Sequence, residues 1–354
     1  MAVYTTIDDP TLHFQAKIYT GNGTAIGSGG QAITLDGGTD MQPDFVWIKD
    51  RTDTDRPRLF DAVRGVTKEL DSSDNTAETT LTEGLTAFGS DGFTVGNHEG
   101  VNSNTDSFVA WCWKAGGSTA SNSSGDITST VSVNTTSKFS IVSYEGNKTD
   151  DQTVGHSLGV VPEMIITKPR DISDNWGVYH KSMGNTHGMY LNATNAKIDS
   201  VAYWSDADPT STLVTLGENE ATNDDESMIM YAFAPVQGFS KFGDYAGNGN
   251  ADGTFVYTGF KPAWVMVKRY DGAGQGWNIW DNKRDTFNLV DEFLIANSSN
   301  AEATGSALNL DFLSNGFKFR GTDGGSNTSG SEYVYMAFAE SPFVNSKGVP
   351  NNAR

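Results

Sequence analysis

The sequence predicts an all-β protein made of three tandem, homologous β-sandwich-like domains with few short helices. Three observations lead to this prediction. The 354 residues include 39 glycines, and only 19% of the side chains are charged, a composition typical of short strands joined by polar turns. Several continuous apolar runs are rich in β-branched and aromatic residues, as in strands that are covered on both faces. One such run recurs three times, which indicates repeated units of about 100 residues.

The repeated run is a strand signal that begins with proline and ends with lysine. Proline is allowed at the first position of a strand because it need not donate a hydrogen bond there. One variable residue, four mostly apolar residues and the lysine follow. The three copies are Pro43–Lys49, Pro162–Lys168 and Pro262–Lys268. Their alignment without gaps predicts three equivalent strands.

Three further landmarks keep the same order around each copy. Upstream, a strand runs into a Gly/Asn turn at Tyr19–Gly23, Tyr144–Lys148 and Tyr245–Gly249. An aromatic residue follows each proline at nearly constant spacing, as Phe60, Tyr179 and Trp280. Closing strands come last, and in them Trp113, Phe233 and Phe338 correspond. Chance does not hold several landmarks in register three times, so we interpret them as an internal repeat.

Two of the three copies carry a strong hairpin signal before the closing strand. It is Ser90-Asp91-Gly92-Phe93 in the first copy and Ser314-Asn315-Gly316-Phe317 in the third, and such Asp-Gly or Asn-Gly pairs favour tight turns. The middle copy has Trp204–Pro209 in the neighbouring region instead. This departure argues against treating the three domains as functionally equal.

Composition sets the predicted boundaries. Residues 116–138 are rich in Ser, Thr, Asn and Gly, which is typical of a linker, with one short strand near Ile127–Val133. Helical turns are expected at Asp61–Leu70 and Val290–Ala296. The predicted parts are an N-terminal attachment segment (1–13), the first repeat (14–117), a linker (118–138), the second repeat (139–238), the third repeat (239–343) and a C-terminal tail (344–354).

The formal net charge of −20 argues against nucleic acid as a partner, because phosphate binding needs clustered Lys and Arg. No apolar stretch approaches the length of a membrane span, so we expect no membrane insertion. The first ten residues lack the basic and apolar regions of a secretory signal. The single cysteine, Cys112, lies in an apolar run, so we expect a buried structural thiol.

The sequence contains no motif that indicates an enzyme, and we predict no catalytic residues, no metal and no cofactor. Paired carboxylates for glycoside hydrolysis can be found anywhere among 44 acidic residues, so a polysaccharide depolymerase stays a minor alternative. His180 and His187 have no metal-site spacing, and His180 is expected at the surface or at a strand end. The acidic loops Asp36–Asp40 and Thr322–Asn327 contain oxygen atoms that could bind calcium. They lack EF-hand spacing, so solvated turns are the favoured interpretation.

Four residues of the divergent middle copy are the predicted ligand-binding residues. Trp176 and Trp204 lie in polar sequence, beside residues such as Asp206, and His180 is nearby in the chain. Aromatic rings among Asp, Asn and His suit carbohydrate, because a sugar has an apolar face and a rim of hydroxyl groups. Core packing is the competing interpretation for both tryptophans. We expect core positions for the tryptophans at strand landmarks, Trp47, Trp111, Trp113, Trp264 and Trp280.

These residues give the chain a resemblance to a family of repeat proteins encoded by tailed bacteriophages, especially marine ones, that are described as tail or virion structural proteins. The residues that carry it include Asp44–Lys49, Leu59–Gly65, Ser90–Gly96, Val109–Gly116, Gly155–Gly159, Phe255–Phe260 and Tyr333–Glu340. The resemblance implies a virion protein that is assembled in the host cytoplasm and has no cofactor. It also implies exposed loops that face a host surface.

The function expected from this resemblance is a tail fibre or a tail-attached receptor-binding protein. Rigid sheets that present polar loops suit an adhesin. The expected partners are other virion proteins of the tail or capsid, copies of itself in a homotrimer, and a glycan or protein of the host surface. A capsid decoration or head fibre protein is the alternative, and copy number in the particle separates the two.

Overall fold

The computed structural model describes residues 3–305 and 307–352, and it confirms the all-β prediction. Helical structure is limited to single turns. These are α1 (Glu99–Asn102), α2 (Glu220–Asn223) and 3-10 turns at Pro10–Leu12, Ile26–Ser28 and Lys181–Met183. Within the described ranges, no helix has the length and apolar character needed to cross a bilayer.

Residues 3–117 form two antiparallel sheets. Their strands are β1 (Phe14–Thr20), β2 (Gln31–Thr34), β3 (Phe45–Asp50), β4 (Arg58–Asp61), β5 (Lys68–Asp71), β6 (Thr79–Thr80), β7 (Leu85–Gly89), β8 (Gly92–Val95) and β9 (Ser107–Trp113). Sheet A has the order β1-β9-β3-β4-β5-β6, and the small sheet a has the order β2-β8-β7. The hairpin predicted at Ser90–Phe93 is confirmed, because Gly89 pairs with Gly92 across the turn.

The next segment builds the largest sheet. Its strands are β10 (Ala120–Asn122), β11 (Ser129–Asn134), β12 (Phe139–Glu145), β13 (Gln152–Gly155), β14 (Met164–Pro169), β15 (Gly177–His180), β16 (His187–Tyr190), β17 (Ile198–Asp199), β18 (Leu213–Leu216) and β19 (Ser227–Phe233). Sheet B has the order β10-β11-β12-β19-β14-β15-β16-β17, and sheet b pairs β13 with β18.

The last segment again forms one large and one small sheet. Its strands are β20 (Ser240–Ala246), β21 (Phe255–Tyr257), β22 (Phe260–Arg269), β23 (Asn278–Asp281), β24 (Glu292–Ile295), β25 (Ala303–Thr304), β26 (Leu310–Leu313), β27 (Gly316–Phe319) and β28 (Glu332–Pro342). Sheet C has the order β20-β28-β22-β23-β24-β25, and sheet c has the order β21-β27-β26. The predicted hairpin is present here too, with Leu313 paired with Gly316.

The three large sheets share one strand order, which is β1-β9-β3 in sheet A, β12-β19-β14 in sheet B and β20-β28-β22 in sheet C. The proline-to-lysine runs, β3, β14 and β22, are buried along almost their whole length. They are apolar on both faces because each face is covered. One face packs into a core that sheets A, B and C share, and in A and B the other face packs against the small sheet.

Aromatic rings fill the centre of the shared core. Phe338 of sheet C lies 5.6 Å from Trp113 of sheet A and 6.0 Å from Phe233 of sheet B, centroid to centroid. Phe14 stacks on Phe338 at 5.1 Å. Burial of one such side chain contributes about 1.5–3 kcal/mol, so the three sheets stabilise one another. The five landmark tryptophans predicted for the core are buried there or beside it, and Cys112 is buried behind sheet A.

Two local predictions differ from the structure. Helical turns were expected at Asp61–Leu70 and Val290–Ala296, but the first range is a turn that leads into β5 and the second contains β24. Phe293 and Leu294 point to opposite faces of an edge hairpin, and their short apolar run has no period long enough to distinguish helix from strand.

Residues 3–13, the predicted linker and residues 344–352 belong to the folded body. Residues 118–138 contain β10 and β11, and β11 pairs with β12 over six residues. In the predicted attachment segment, Ile7 is buried in the shared core. In the predicted C-terminal tail, Ser346 N donates to Asp8 Oδ1 at 2.7 Å.

The Gly/Asn turns after β1, β12 and β20 are each held by a buried asparagine. In the first turn, Asn22 N donates to Asn102 Oδ1 at 2.8 Å. Asn102 Nδ2 in turn donates to Gly96 O at 2.8 Å. Gly21 is required because a Cβ there would lie 2.1 Å from the Ser103 carbonyl oxygen. Asn223 and Asn327 accept from Asn147 N and Asn248 N in the same way.

Replacing the buried asparagine is expected to destabilise the whole chain. Asn102→Ala leaves the Gly96 carbonyl without a partner and removes one of the two acceptors of the Asn22 N–H, which should lower the free energy of unfolding by about 1–3 kcal/mol. Urea unfolding measures the change. Asn104→Ala, at an exposed position two residues away, is the control and should stay within about 0.5 kcal/mol of wild type. Equal stability of the two variants would contradict the role of Asn102.

Candidate functional site

Each large sheet meets the next at the end of the strand that follows its proline-to-lysine run, and we name these contacts the A–B, B–C and C–A junctions. The residue at this position is Asp61 in β4, His180 in β15 and Asp281 in β23, and all three are buried. A buried carboxylate or imidazole needs hydrogen-bond partners. In every case one partner comes from the neighbouring sheet.

At the A–B and C–A junctions the partners form the same geometry. Asp61 accepts a hydrogen bond from Tyr231 Oη of β19 at 2.7 Å. Asp281 accepts one from Trp111 Nε1 of β9 at 3.0 Å and another from Arg284 Nε at 2.6 Å. Burial would raise the pKa of Asp281, but Arg284 and these hydrogen bonds hold it below its ordinary value. Asp281 therefore stays ionised inside the protein.

At the B–C junction a neutral histidine replaces the aspartate. His180 Nε2 lies 3.2 Å from the Tyr335 carbonyl oxygen of β28, and His180 Nδ1 accepts from Ser182 N at 3.2 Å. These contacts fit the tautomer with its proton on Nε2. Burial lowers the pKa of His180 to about 4, with partial compensation by Tyr335 O. His180 was expected at the surface or at a strand end. It does end β15, but sheet C covers it.

A second contact repeats at every junction, between backbone groups. The Glu78, Lys197 and Glu302 N–H groups donate to the carbonyl oxygens of Arg170, Tyr270 and Arg51, at 2.7, 2.9 and 2.9 Å. The donors belong to sheets A, B and C, and the acceptors to sheets B, C and A. The contacts therefore run around a closed ring, as in a cyclic oligomer with head-to-tail interfaces.

The side chains at this second contact differ between junctions. Arg170 binds Glu78 through two hydrogen bonds of 2.9 Å. Arg51 binds Glu302 with a closest approach of 2.6 Å. At the B–C junction, Lys197 Nζ lies instead over the Tyr270 ring, 5.1 Å from its centroid.

The lysine that ends each repeated run is a buried structural group. Lys49, Lys168 and Lys268 donate from Nζ to the carbonyl oxygen of the following residue, at 2.7, 2.7 and 2.9 Å. Burial lowers the pKa of each lysine to about 8. Because these amines are enclosed, they stabilise the backbone at the strand ends and are not accessible to a ligand.

The four predicted ligand-binding residues do not form a surface site. Trp176 is fully buried and donates from Nε1 to the Asp71 carbonyl oxygen at 2.8 Å. Trp204 is 1% exposed and packs edge-on against Tyr179 at 5.7 Å. His180 is enclosed by sheet C, which leaves Asp206 as the exposed member. The polar neighbours of Trp204 lie on turns while its ring points inward, so neither tryptophan can stack on a sugar.

The acidic loops considered for calcium have partners of their own. Asp36 contacts Lys17 Nζ at 2.5 Å and Lys283 Nζ at 3.3 Å, and Asp323 accepts from Gly325 N at 2.7 Å. Among residues 3–305 and 307–352, no group of three or more His, Cys, Asp and Glu side chains is placed to hold a metal ion.

The junctions also differ in whether a groove beside them is open. At the C–A junction a groove runs between Phe14 and Gln15 of β1 and Asn282 and Lys283 after β23. A corresponding groove at the B–C junction lies between Lys241 of β20 and Lys181 after β15. At the A–B junction β11 occupies the equivalent place beside β12. The open grooves combine a free strand edge with charged side chains, which suits the binding of an extended chain.

The junction residues were missed at the sequence level, although a signal for two of them exists. Asp61 and Arg64 have the same spacing as Asp281 and Arg284, and each arginine binds its aspartate. This Asp-x-x-Arg repeat marks the position. His180 aligns with Asp61 and Asp281 in the repeat, but Met183 stands where the other copies have arginine, so the Asp-x-x-Arg signal does not extend to it.

Comparison with known proteins identifies the family but no relative of known function. A family model described as a domain of unknown function, DUF7483, matches residues 9–342, so the chain belongs to this family. The match runs across all three repeated segments as one unit. No curated protein and no solved structure matches the chain.

The buried histidine predicts a stability that falls in mild acid. The folded pKa of His180, about 4, is below the ordinary value near 6.5, so the unfolded chain binds the proton more readily. The contribution is therefore intact above pH 6.5 and is lost as the pH falls from 6.5 toward 4, by about 2 kcal/mol between pH 7 and 4.5. Urea unfolding of wild type and His180→Gln at both pH values measures it. The variant should lose less stability than wild type, and an equal loss would exclude this role for His180.

Proposed function

We propose that this member of the DUF7483 family is a structural component of a bacteriophage virion, namely a tail fibre or a tail-attached receptor-binding protein. The observation that carries the proposal is the closed ring of junctions around one aromatic core. A ring of three sheets with one strand order gives a single chain an approximately three-fold body. Such a body can sit on a three-fold axis and make three similar contacts with a symmetric neighbour. The resemblance to virion proteins of tailed phages adds support.

We further propose that the three segments are copies of one β-sandwich-like module. The common strand order, the repeated buried asparagines and the equivalent junction residues support this origin. The middle copy has lost one strand of its small sheet and has gained β10 and β11. The homotrimer expected from the resemblance stays a prediction. Because one chain already closes a ring through its inner faces, such a trimer would form through outer surfaces.

The two ends of the ring have different features, which suggests an orientation on the particle. At one end Phe14, Phe233 and Phe338 meet, and the segments around Ile7 and Ser346 lie near them. At the other end, about 20 Å away along strands of seven residues, lie the asparagine-held Gly/Asn turns. We assign the first end to attachment, in line with the attachment segment predicted at residues 1–13. Rigidly anchored turns at the other end suit receptor contact.

A deletion of residues 1–13 is not a clean test of attachment, because it would also remove Ile7 from the shared core. The experiment that tests the proposed function is quantitative mass spectrometry of purified particles of the phage that encodes the chain, with antibody labelling in electron microscopy. We expect tens of copies per particle, with label on the tail. Hundreds of copies on the head would support the capsid-decoration alternative. Absence from particles, with the protein present in infected cells, would refute a virion role.

Release of reducing sugar from host polysaccharide is the separate test for the depolymerase alternative. Purified full-length protein is incubated with the polysaccharide, and reducing ends are measured over time. The proposed binding role predicts no increase over a buffer control. A steady increase would replace that role with an enzymatic one.

A further inference from the structure

The three large sheets differ at the edge formed by their first strand. Strand β1 forms one edge of sheet A, and strand β20 forms the corresponding edge of sheet C. In sheet B the equivalent strand, β12, is internal because β11 pairs with it. Among residues 3–305 and 307–352, one of these three edges is therefore filled by a strand of the chain itself, and the other two are not.

The contacts of β11 at the filled edge of sheet B show what an added strand would contact at an open edge. β11 runs antiparallel to β12, with Ser132 opposite Ile141 and Val131 opposite Val142. Its Ser132 Oγ accepts a hydrogen bond from Gly116 N of the first segment at 3.0 Å. Ser129 Oγ donates to Gly155 O on the second segment at 2.9 Å. The added strand thus bridges two sheets across the A–B junction.

The edge of β1 has free hydrogen-bonding groups of the right kind. Lys114 N donates to His13 O, and Gly21 N donates to Asp106 O, so odd-numbered residues of this strand face β9. Antiparallel strands alternate the direction of their backbone groups. The N–H and C=O groups of Ala16 and Ile18 therefore point away from β9, where no strand of the described residues pairs with them. Ile18 is also 38% exposed.

Charge distinguishes the β1 edge from the filled one. The pairing registers place Lys17 of β1 at the position of Val142 in β12. Val142 faces the apolar Val131, whereas Lys17 shares Asp36 with Lys283. Two ammonium groups thus share one carboxylate, in a chain of net charge −20. An incoming strand with a carboxylate opposite Lys17 would complement them.

The β20 edge is less suited to an added strand. Ser240, its first residue, already forms two backbone hydrogen bonds with Val236. Lys241 Nζ is bound to the Tyr257 carbonyl oxygen at 2.6 Å, and Tyr4 reaches across the same groove to Gly259 O. The edge of β1 is the stronger candidate.

We propose that the open edge of β1 accepts an extended strand from another protein, in the place that β11 takes beside β12. The bound strand runs antiparallel to Phe14–Thr20 and carries an acidic residue opposite Lys17. Its backbone supplies the affinity, and the Lys17–Lys283 pair supplies the selectivity. The proposal does not rest on the virion role, because it concerns the chemistry of the edge and not the identity of the partner.

A peptide copied from the chain itself tests the proposal. The probe is a fluorescein-labelled peptide of residues 126–134 that carries Val131→Glu, titrated with full-length protein in a fluorescence anisotropy assay. We expect saturable binding, weaker by roughly tenfold for the peptide with the native Val131. In the protein, Ile18→Pro removes an outward N–H, which an edge strand tolerates. It should weaken binding by roughly tenfold or more.

Lys17→Glu is the second variant, and it leaves the backbone of β1 unchanged. It should remove the preference for the acidic peptide while thermal unfolding shows an intact fold. A matched control is Ser143→Pro, at the position of Ile18 in β12, which should destabilise the protein because β11 already pairs there. No saturable binding to wild type at millimolar protein would overturn the proposal. So would binding that Ile18→Pro and Lys17→Glu both leave unchanged.

Discussion

The structure depends on one constraint, which is that each large sheet is apolar on both faces. A small sheet can cover only one of them, so the other face of sheets A, B and C must be buried against its counterparts. The ring closes around Trp113, Phe233 and Phe338 for this reason. No large sheet has a complete core of its own. The three segments therefore behave as parts of one body, in agreement with a family match that spans them together.

Polar contacts then fix the order in which the sheets meet. A buried carboxylate that loses its partner destabilises a protein more than an exposed one does. Asp61 and Asp281 must therefore lie beside groups that can donate hydrogen bonds to them. Tyr231 and Trp111 satisfy them, and the backbone of Tyr335 satisfies His180. Lys197 of sheet B would repel Arg51 of sheet A if sheet A took the place of sheet C beside it. The different side chains at the three junctions thus disfavour any other order of the three sheets.

The sequence was sufficient for features that depend on neighbouring residues. The proline-to-lysine strands, the Gly/Asn turns, the two hairpins and the core tryptophans follow from short-range pattern and composition. The ring does not, because Asp61 and Tyr231 are far apart in the chain and no local signal links them. Trp204 was considered for a surface because its neighbours are polar, yet a turn can be solvated while one of its rings packs inward. His180 is buried by sheet C, whose residues are far from it in the sequence. The apolar run at β24 is too short to distinguish a helix from a strand.

The stacking of Phe14 on Phe338 has a consequence for biosynthesis. Phe14 lies on β1 and Phe338 on β28, so the three sheets cannot close around their core until β28 has left the ribosome. Until then, the aromatic faces of the earlier sheets are open to solvent and to other nascent chains. Contacts of such long sequence separation also slow folding, and apolar faces that stay exposed during synthesis make an unfinished chain prone to aggregation.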